Sequence, residues 1–160
     1  MENKIAAFFN EIRNGNMEAV KNLVSELPAL VNSADQRGST PLILATYYDQ
    51  REIANFLLEQ GAKIDDKDAS GNTALMGTSF KGLVQIAKDL IDKGANVNER
   101  NAIGGTCLIY AATFNKVELA KLLLDFGADT TVKDARGNTA LDHAKMQGFS
   151  ELITLLEKNG

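Results

Sequence analysis

The sequence predicts an all-α repeat solenoid of about five stacked helix–turn–helix units joined by short β-hairpin turns, and three observations predict it. Threonine followed by an apolar pair recurs every 33 residues, at Thr40-Pro41-Leu42, Thr73-Ala74-Leu75, Thr106-Cys107-Leu108 and Thr139-Ala140-Leu141. Gly38, Gly71, Gly104 and Gly137 stand two positions before these threonines, and Asp35, Asp68, Asn101 and Asp134 open the units. Gly61-Ala62, Gly94-Ala95 and Gly127-Ala128 close the apolar runs, and Gly160 falls at the next place. A fixed period of this length marks a stacked repeat protein. One repeat domain over residues 1–160 is expected, with an N-terminal cap at 1–34, repeats at 35–67, 68–100 and 101–133, and a C-terminal cap at 134–160.

The elements of each repeat follow in order. Residues after the threonine read as a short helix, as in Leu42-Ile43-Leu44-Ala45-Thr46-Tyr47-Tyr48. Threonine suits the N-cap because its hydroxyl accepts from an unpaired helical amide, and Pro41 suits the first helical position because it lacks an amide there. A polar break follows at Asp49-Gln50, Gly82, Asn115-Lys116 and Gly148. A second amphipathic run then carries Ile53, Phe56 and Leu57; Ile86, Leu90 and Ile91; Leu119, Leu122 and Leu123; or Leu152, Leu155 and Leu156 at helical spacing. The Gly-Ala step ends it, since glycine accepts the left-handed conformation common at helix C-termini. The segment up to the next threonine is rich in Gly and Asx residues, which favour a tight hairpin.

Composition narrows the function classes. The chain has 160 residues and is 44% hydrophobic, which suits an ordered protein burying roughly 70% of its unfolded surface. Seventeen Lys and Arg against 21 Asp and Glu give a net charge of −4, which offers no net attraction for nucleic acid or an anionic membrane. The apolar run Ile5–Phe9 is too short to serve as the core of a secretion signal, and no stretch is long enough to span a bilayer. Cys107 is the only cysteine, so no internal disulfide can form and a reduced, cytoplasmic setting is expected. Its place after the repeat threonine makes it a small buried apolar residue.

At this point the chain resembles the ankyrin repeat family, whose pattern is Asp-x-x-Gly-x-Thr-Pro-Leu-His-x-Ala-Ala, a turn, an apolar helix and Gly-Ala-x-x-Asn. The resemblance runs from Asp35 to Gly160, with Asn3 to Ala34 as a degenerate first repeat. There Glu18 to Val24 aligns with Glu52 to Leu58 at an offset of 34, so one residue is inserted before Val31-Asn32. Terminal repeats deviate because their outer faces meet water. The histidine of the pattern is replaced by Ile43, Met76, Ile109 and Asp142. In the family it ties hairpins together, so its loss implies that packing supplies more of the stability here.

No constellation for catalysis or metal binding is visible, and no cofactor is expected. His143 is the one histidine, with no second histidine or cysteine to build a zinc site, and it reads as a surface residue of the last repeat. Gly104-Gly105-Thr106 is the nearest approach to a phosphate-binding loop but lies in register with three other repeat turns. Asp65-Asp66 falls on a hairpin, where acids are ordinary turn formers.

What the resemblance implies is a non-catalytic protein-interaction module. Its partner would meet a concave face made of hairpin tips and first-helix ends. Those positions hold Arg37, Lys67, Lys81, Arg100, Lys133 and Arg136 but no acid, together with Tyr47, Tyr48, Phe80, Ile103, Phe114 and Met146. Aromatic anchors beside cations are the composition of binding hot spots. An acidic, partly apolar protein is the expected partner, bound by a monomer that regulates or inhibits it. Glu52, Asp89, Asp92, Glu118, Asp125 and Glu151 are placed on the second helices, leaving the molecule electrically polarised. Two alternatives stay open: a small-molecule binder or enzyme using the groove near His143, Asp142 and Met146, and a self-associating scaffold using the apolar series Ile5, Phe8, Phe9 and Ile12.

Overall fold

A computed structural model describes residues 1–160, with ten α-helices, one 3₁₀ turn and no β-strand. By contact the chain divides into two compact units, Met1–Ala74 and Leu75–Gly160.

In the N-terminal unit, α1 (Glu2–Arg13) has Glu2 in its first turn and Arg13 in its last, both complementing the helix dipole. It packs against α2 (Met17–Glu26) and α3 (Pro41–Tyr47) and buries Phe8, Phe9 and Ile12. Three residues of the apolar series that could have served self-association therefore lie in the core of this unit, and Ile5 is partly buried. The extra residue of the first repeat falls in a connector that is wound into a 3₁₀ turn, Pro28–Asn32. From its end, the Asn32 side chain donates to the Gly61 carbonyl (3.1 Å) and accepts from the Lys63 N–H (2.9 Å). In α3 the Thr40 hydroxyl accepts from the Ile43 N–H at 3.1 Å and Pro41 stands at the first helical position, as the spacing predicts. α4 (Arg51–Glu59) buries Ile53, Ala54 and Leu57.

The C-terminal unit contains α5 (Ala74–Lys81, all but its first residue), α6 (Val84–Asp92), α7 (Cys107–Thr113), α8 (Val117–Asp125), α9 (Ala140–Gln147) and α10 (Ser150–Asn159). α7 packs on α8 and α9, α10 on α8 and α9, and α6 on α8. Leu108, Leu119, Leu123 and Leu152 are wholly or almost wholly buried, and so is Cys107. Thr106 caps α7 through the Ile109 N–H.

Two local devices recur. The first is the break between paired helices, where Gly15, Asp49, Gly82, Asn115 and Gly148 hold φ between +55° and +74°. Gly, Asp and Asn are the residues that accept this left-handed conformation, so the polar break is a backbone requirement. The second is the hairpin. Asp35 donates its N–H to the Ser39 carbonyl and accepts at its carbonyl from Gly38, while its side chain accepts from the Arg37 and Ser39 N–H groups. Asp68, Asn101 and Asp134 repeat this set. A three-residue loop with a left-handed glycine is closed by a single backbone bond, too short a ladder to count as a strand.

The lost family histidine is replaced by packing in the middle of the array. Met76 and Ile109 are buried and Ile43 partly so, whereas Asp142 accepts from the Thr139 N–H (2.9 Å) in a capping box. Hairpins of neighbouring repeats are joined through the backbone instead, Ala69 N–H to the Arg37 carbonyl and Ala135 N–H to the Ile103 carbonyl.

Candidate functional site

The positions singled out in the sequence are almost all at the surface. Arg37, Tyr47, Tyr48 and Lys67 are exposed in the N-terminal unit, and Lys81, Arg100, Ile103, Phe114, Lys133, Arg136 and Met146 in the C-terminal unit. Phe80 differs. It is partly buried, with its ring centroid 4.6 Å from Tyr110 and 6.0 Å from Phe114, edge to face with both. Tyr47 and Tyr48 make a similar edge contact at 5.4 Å. Such pairs favour this geometry because the ring edge is positive and the face negative.

Tyr110, which the sequence reading left unassigned, organises the C-terminal cluster. Its hydroxyl accepts from the Asn101 side chain at 2.6 Å. Its ring lies on Gly105, where an added Cβ would stand 2.5 Å from the hydroxyl oxygen and 2.7 Å from Cζ. Only glycine leaves room for it. With Phe80 beneath, Phe114 remains 48% exposed, and Ile103 and Met146 are 63% and 62% exposed. These side chains cannot be core, and each belongs to a hairpin or first-helix end.

The cations are not equivalent. Arg100 reaches along the hairpins, donating from one terminal nitrogen to the Lys133 carbonyl at 2.7 Å and from Nε to the Gly104 carbonyl at 3.4 Å. It braces two repeats and is less available to a partner than its exposure suggests. Arg136 and Ile103 are on hairpins joined by the Ala135–Ile103 backbone bond. The acids on the same hairpins and first helices are engaged internally. Burial raises the Asp134 carboxyl, but hydrogen bonds from His143 and from the N–H groups of Asn138 and Arg136 hold it below the usual carboxylate range. The Thr139 N–H, its hydroxyl, and the nearby charges of Lys133 and Lys145 lower Asp142 likewise.

His143 is not the open surface residue that the sequence suggested. Its Nε2 sits 2.7 Å from Asp134 Oδ2, with the two side chains 18% and 12% exposed. The pair occupies the same positions as Asn101 and Tyr110 one repeat earlier, so it ties a helix to its own hairpin. A nine-residue spacing between a polar repeat opener and a polar helix residue was the signal available, and it occurs only in these two repeats. No three of His, Cys, Asp and Glu gather where they could hold a metal.

Of the acids on the second helices, Glu52, Asp92, Glu118, Asp125 and Glu151 are exposed and Asp89 is partly buried. Lys121 lies between Glu118 (3.4 Å) and Glu151 (3.9 Å), which offsets part of that charge. Phe126, 47% exposed at the end of α8, went unremarked because its counterparts Gln60 and Lys93 are polar. No helix is long and apolar enough to cross a membrane.

Comparison with curated proteins finds no match. The family model for ankyrin repeats (3 copies) matches residues 5–101 and again 75–160. Proteins built of such repeats are in general protein-interaction modules and typically non-catalytic. With its 33-residue period, capped first helices, closed hairpins and a family match over nearly its whole length, the chain belongs to the ankyrin repeat family.

Proposed function

We propose that the chain is a non-catalytic binding module that grips an acidic, partly apolar protein surface through its hairpin and first-helix-end residues. The observation that carries this reading is the division of charge on those elements. Asp134 is bound to its own hairpin backbone and to His143, and Asp142 to the Thr139 N–H, while Lys133 and Arg136 are exposed at the hairpin joined to the one that carries Ile103. A surface that has satisfied its acids internally and presents cations beside Ile103, Phe114 and Met146 attracts acidic groups and offers anchors for apolar ones. Tyr47, Tyr48, Arg37 and Lys67 repeat the composition in the N-terminal unit. Inhibition or regulation of the partner is the form such a grip takes when it covers a working surface. The buried Cys107 thiol and the burial of Phe8, Phe9 and Ile12 support a monomer in a reducing, cytoplasmic setting.

The test is to recover the partner from the native host with the tagged full chain and measure affinity in rising salt. Phe114→Ala with Met146→Ala is expected to weaken binding at least tenfold, and affinity is expected to fall as ionic strength rises. Salt-independent binding that ignores Arg37→Ala, Lys133→Ala and Arg136→Ala would end the basic-face reading.

A further inference from the structure

α5 is built from weaker material than the first helix of any other repeat. Gly77, Thr78, Ser79 and Phe80, four poor helix formers, follow one another through its second half. Where Gly77 stands, the other repeats carry Leu44, Tyr110 and His143. A Cβ built on Gly77 meets no atom within 4 Å, so the place of a side chain is open. Tyr110 and His143 tie their helices to Asn101 and Asp134, and glycine has no side chain with which to reach Asp68 in the same way.

The buried side of α5 is also imperfect. Ser79 is 0% exposed and its hydroxyl has no hydrogen-bond partner. Ala112, its counterpart in α7, is equally buried and has no polar side-chain atom to strip of water. An unpaired buried hydroxyl costs the closed state its full desolvation penalty and costs the open state nothing. Thr78 is buried too, and its hydroxyl bonds back to the Leu75 carbonyl at 2.6 Å, a local contact that survives poorly outside the helix and adds no link to another element.

We propose that α5 is a locally opening element, which unwinds while α7 to α10 stay folded. Opening exposes Leu75 and Met76 but far less surface than global unfolding does, and it relieves the Ser79 hydroxyl and frees a glycine that loses more backbone freedom than other residues on closing. Because α5 carries Phe80 and Lys81, opening withdraws them from the surface that Phe114 shares. That consequence alone rests on the docking reading above, and apparent affinity then scales with the closed fraction.

Native-state hydrogen exchange on the full chain, with no partner present, tests the opening directly. The Gly82 and Leu83 amides, both bonded to the Thr78 carbonyl, report the end of α5, and the Tyr110 and Phe114 amides report α7. The α5 reporters are expected to be at least tenfold less protected than those of α7, with a smaller denaturant slope than theirs. Gly77→Ala is expected to raise α5 protection about fivefold and Ser79→Ala about tenfold, with α7 unchanged. Equal protection of α5 and α7 with a common denaturant slope would overturn the proposal. So would Gly77→Ala and Ser79→Ala variants that fold normally yet leave the α5 amides where they were. Neither result bears on the docking surface, whose own test uses the partner and salt.

Discussion

α5 and α7 occupy the same place in successive repeats and solve the same problem with different residues. In α7, Cys107, Leu108, Ile109, Ala111 and Ala112 are buried without a stranded polar atom, and Tyr110 fastens the helix to its hairpin. In α5, Leu75 and Met76 are buried just as fully, but Gly77 leaves its position empty and Ser79 buries a hydroxyl without a partner. Apolar burial is therefore similar in the first turn, and the difference lies further on, where buried Thr78 and Ser79 stand in the places of Ala111 and Ala112, and in backbone freedom. Two helices that begin with equal hydrophobic burial need not be equally stable.

The largest effect that separates them is a core truncation in each. Leu108→Ala is expected to lower the global unfolding free energy by about 2–5 kcal/mol in denaturant titration. Leu75→Ala is expected to lower it by less, because the loss cannot exceed the free energy at which α5 opens by itself. Equal losses would show the two helices unfolding as one.

A second experiment breaks the anchor of α7. Gly105→Ala places a methyl against the Tyr110 ring, and the resulting shift is expected to cost about 1–3 kcal/mol. Adding Tyr110→Leu should restore part of it by removing the obstructing ring. A Gly105→Ala variant as stable as the parent would mean that the ring moves freely and anchors nothing.

The smallest effect is electrostatic and concerns the corresponding tie in α9. The folded Asp134 carboxyl titrates below its ordinary value of 3.8, so its contribution is present above that pH and is lost as pH falls through the lowered value. Thermal unfolding between about pH 5 and pH 2 should therefore show a shallower acid loss in Asp134→Asn than in the parent. Identical slopes would remove the Asp134–His143 pair from the account.

Much of the fold was legible because its signals are local. Thr40 and Thr106 cap helices through an amide three residues on, and Asp35 closes a turn four residues long, so a 33-residue pattern of such residues dictates where each element starts and stops. The surface positions were legible for the same reason, since equivalent residues of a repeat share one environment. Where that rule failed, a neighbour outside the local pattern intervened: Phe80 was drawn under Tyr110, Arg100 crossed to the Lys133 carbonyl, and His143 turned back to Asp134.

By itself, the sequence determined the repeat, its phase, the helix pairs and the turns between them, because caps, left-handed corners and Asx hairpins are decided within a few residues of backbone. Tertiary structure alone decided which polar groups found partners. Ser79 and Ala112 stand at one repeat position and are buried alike, and only the atoms packed around Ser79 decide that its hydroxyl stays unpaired.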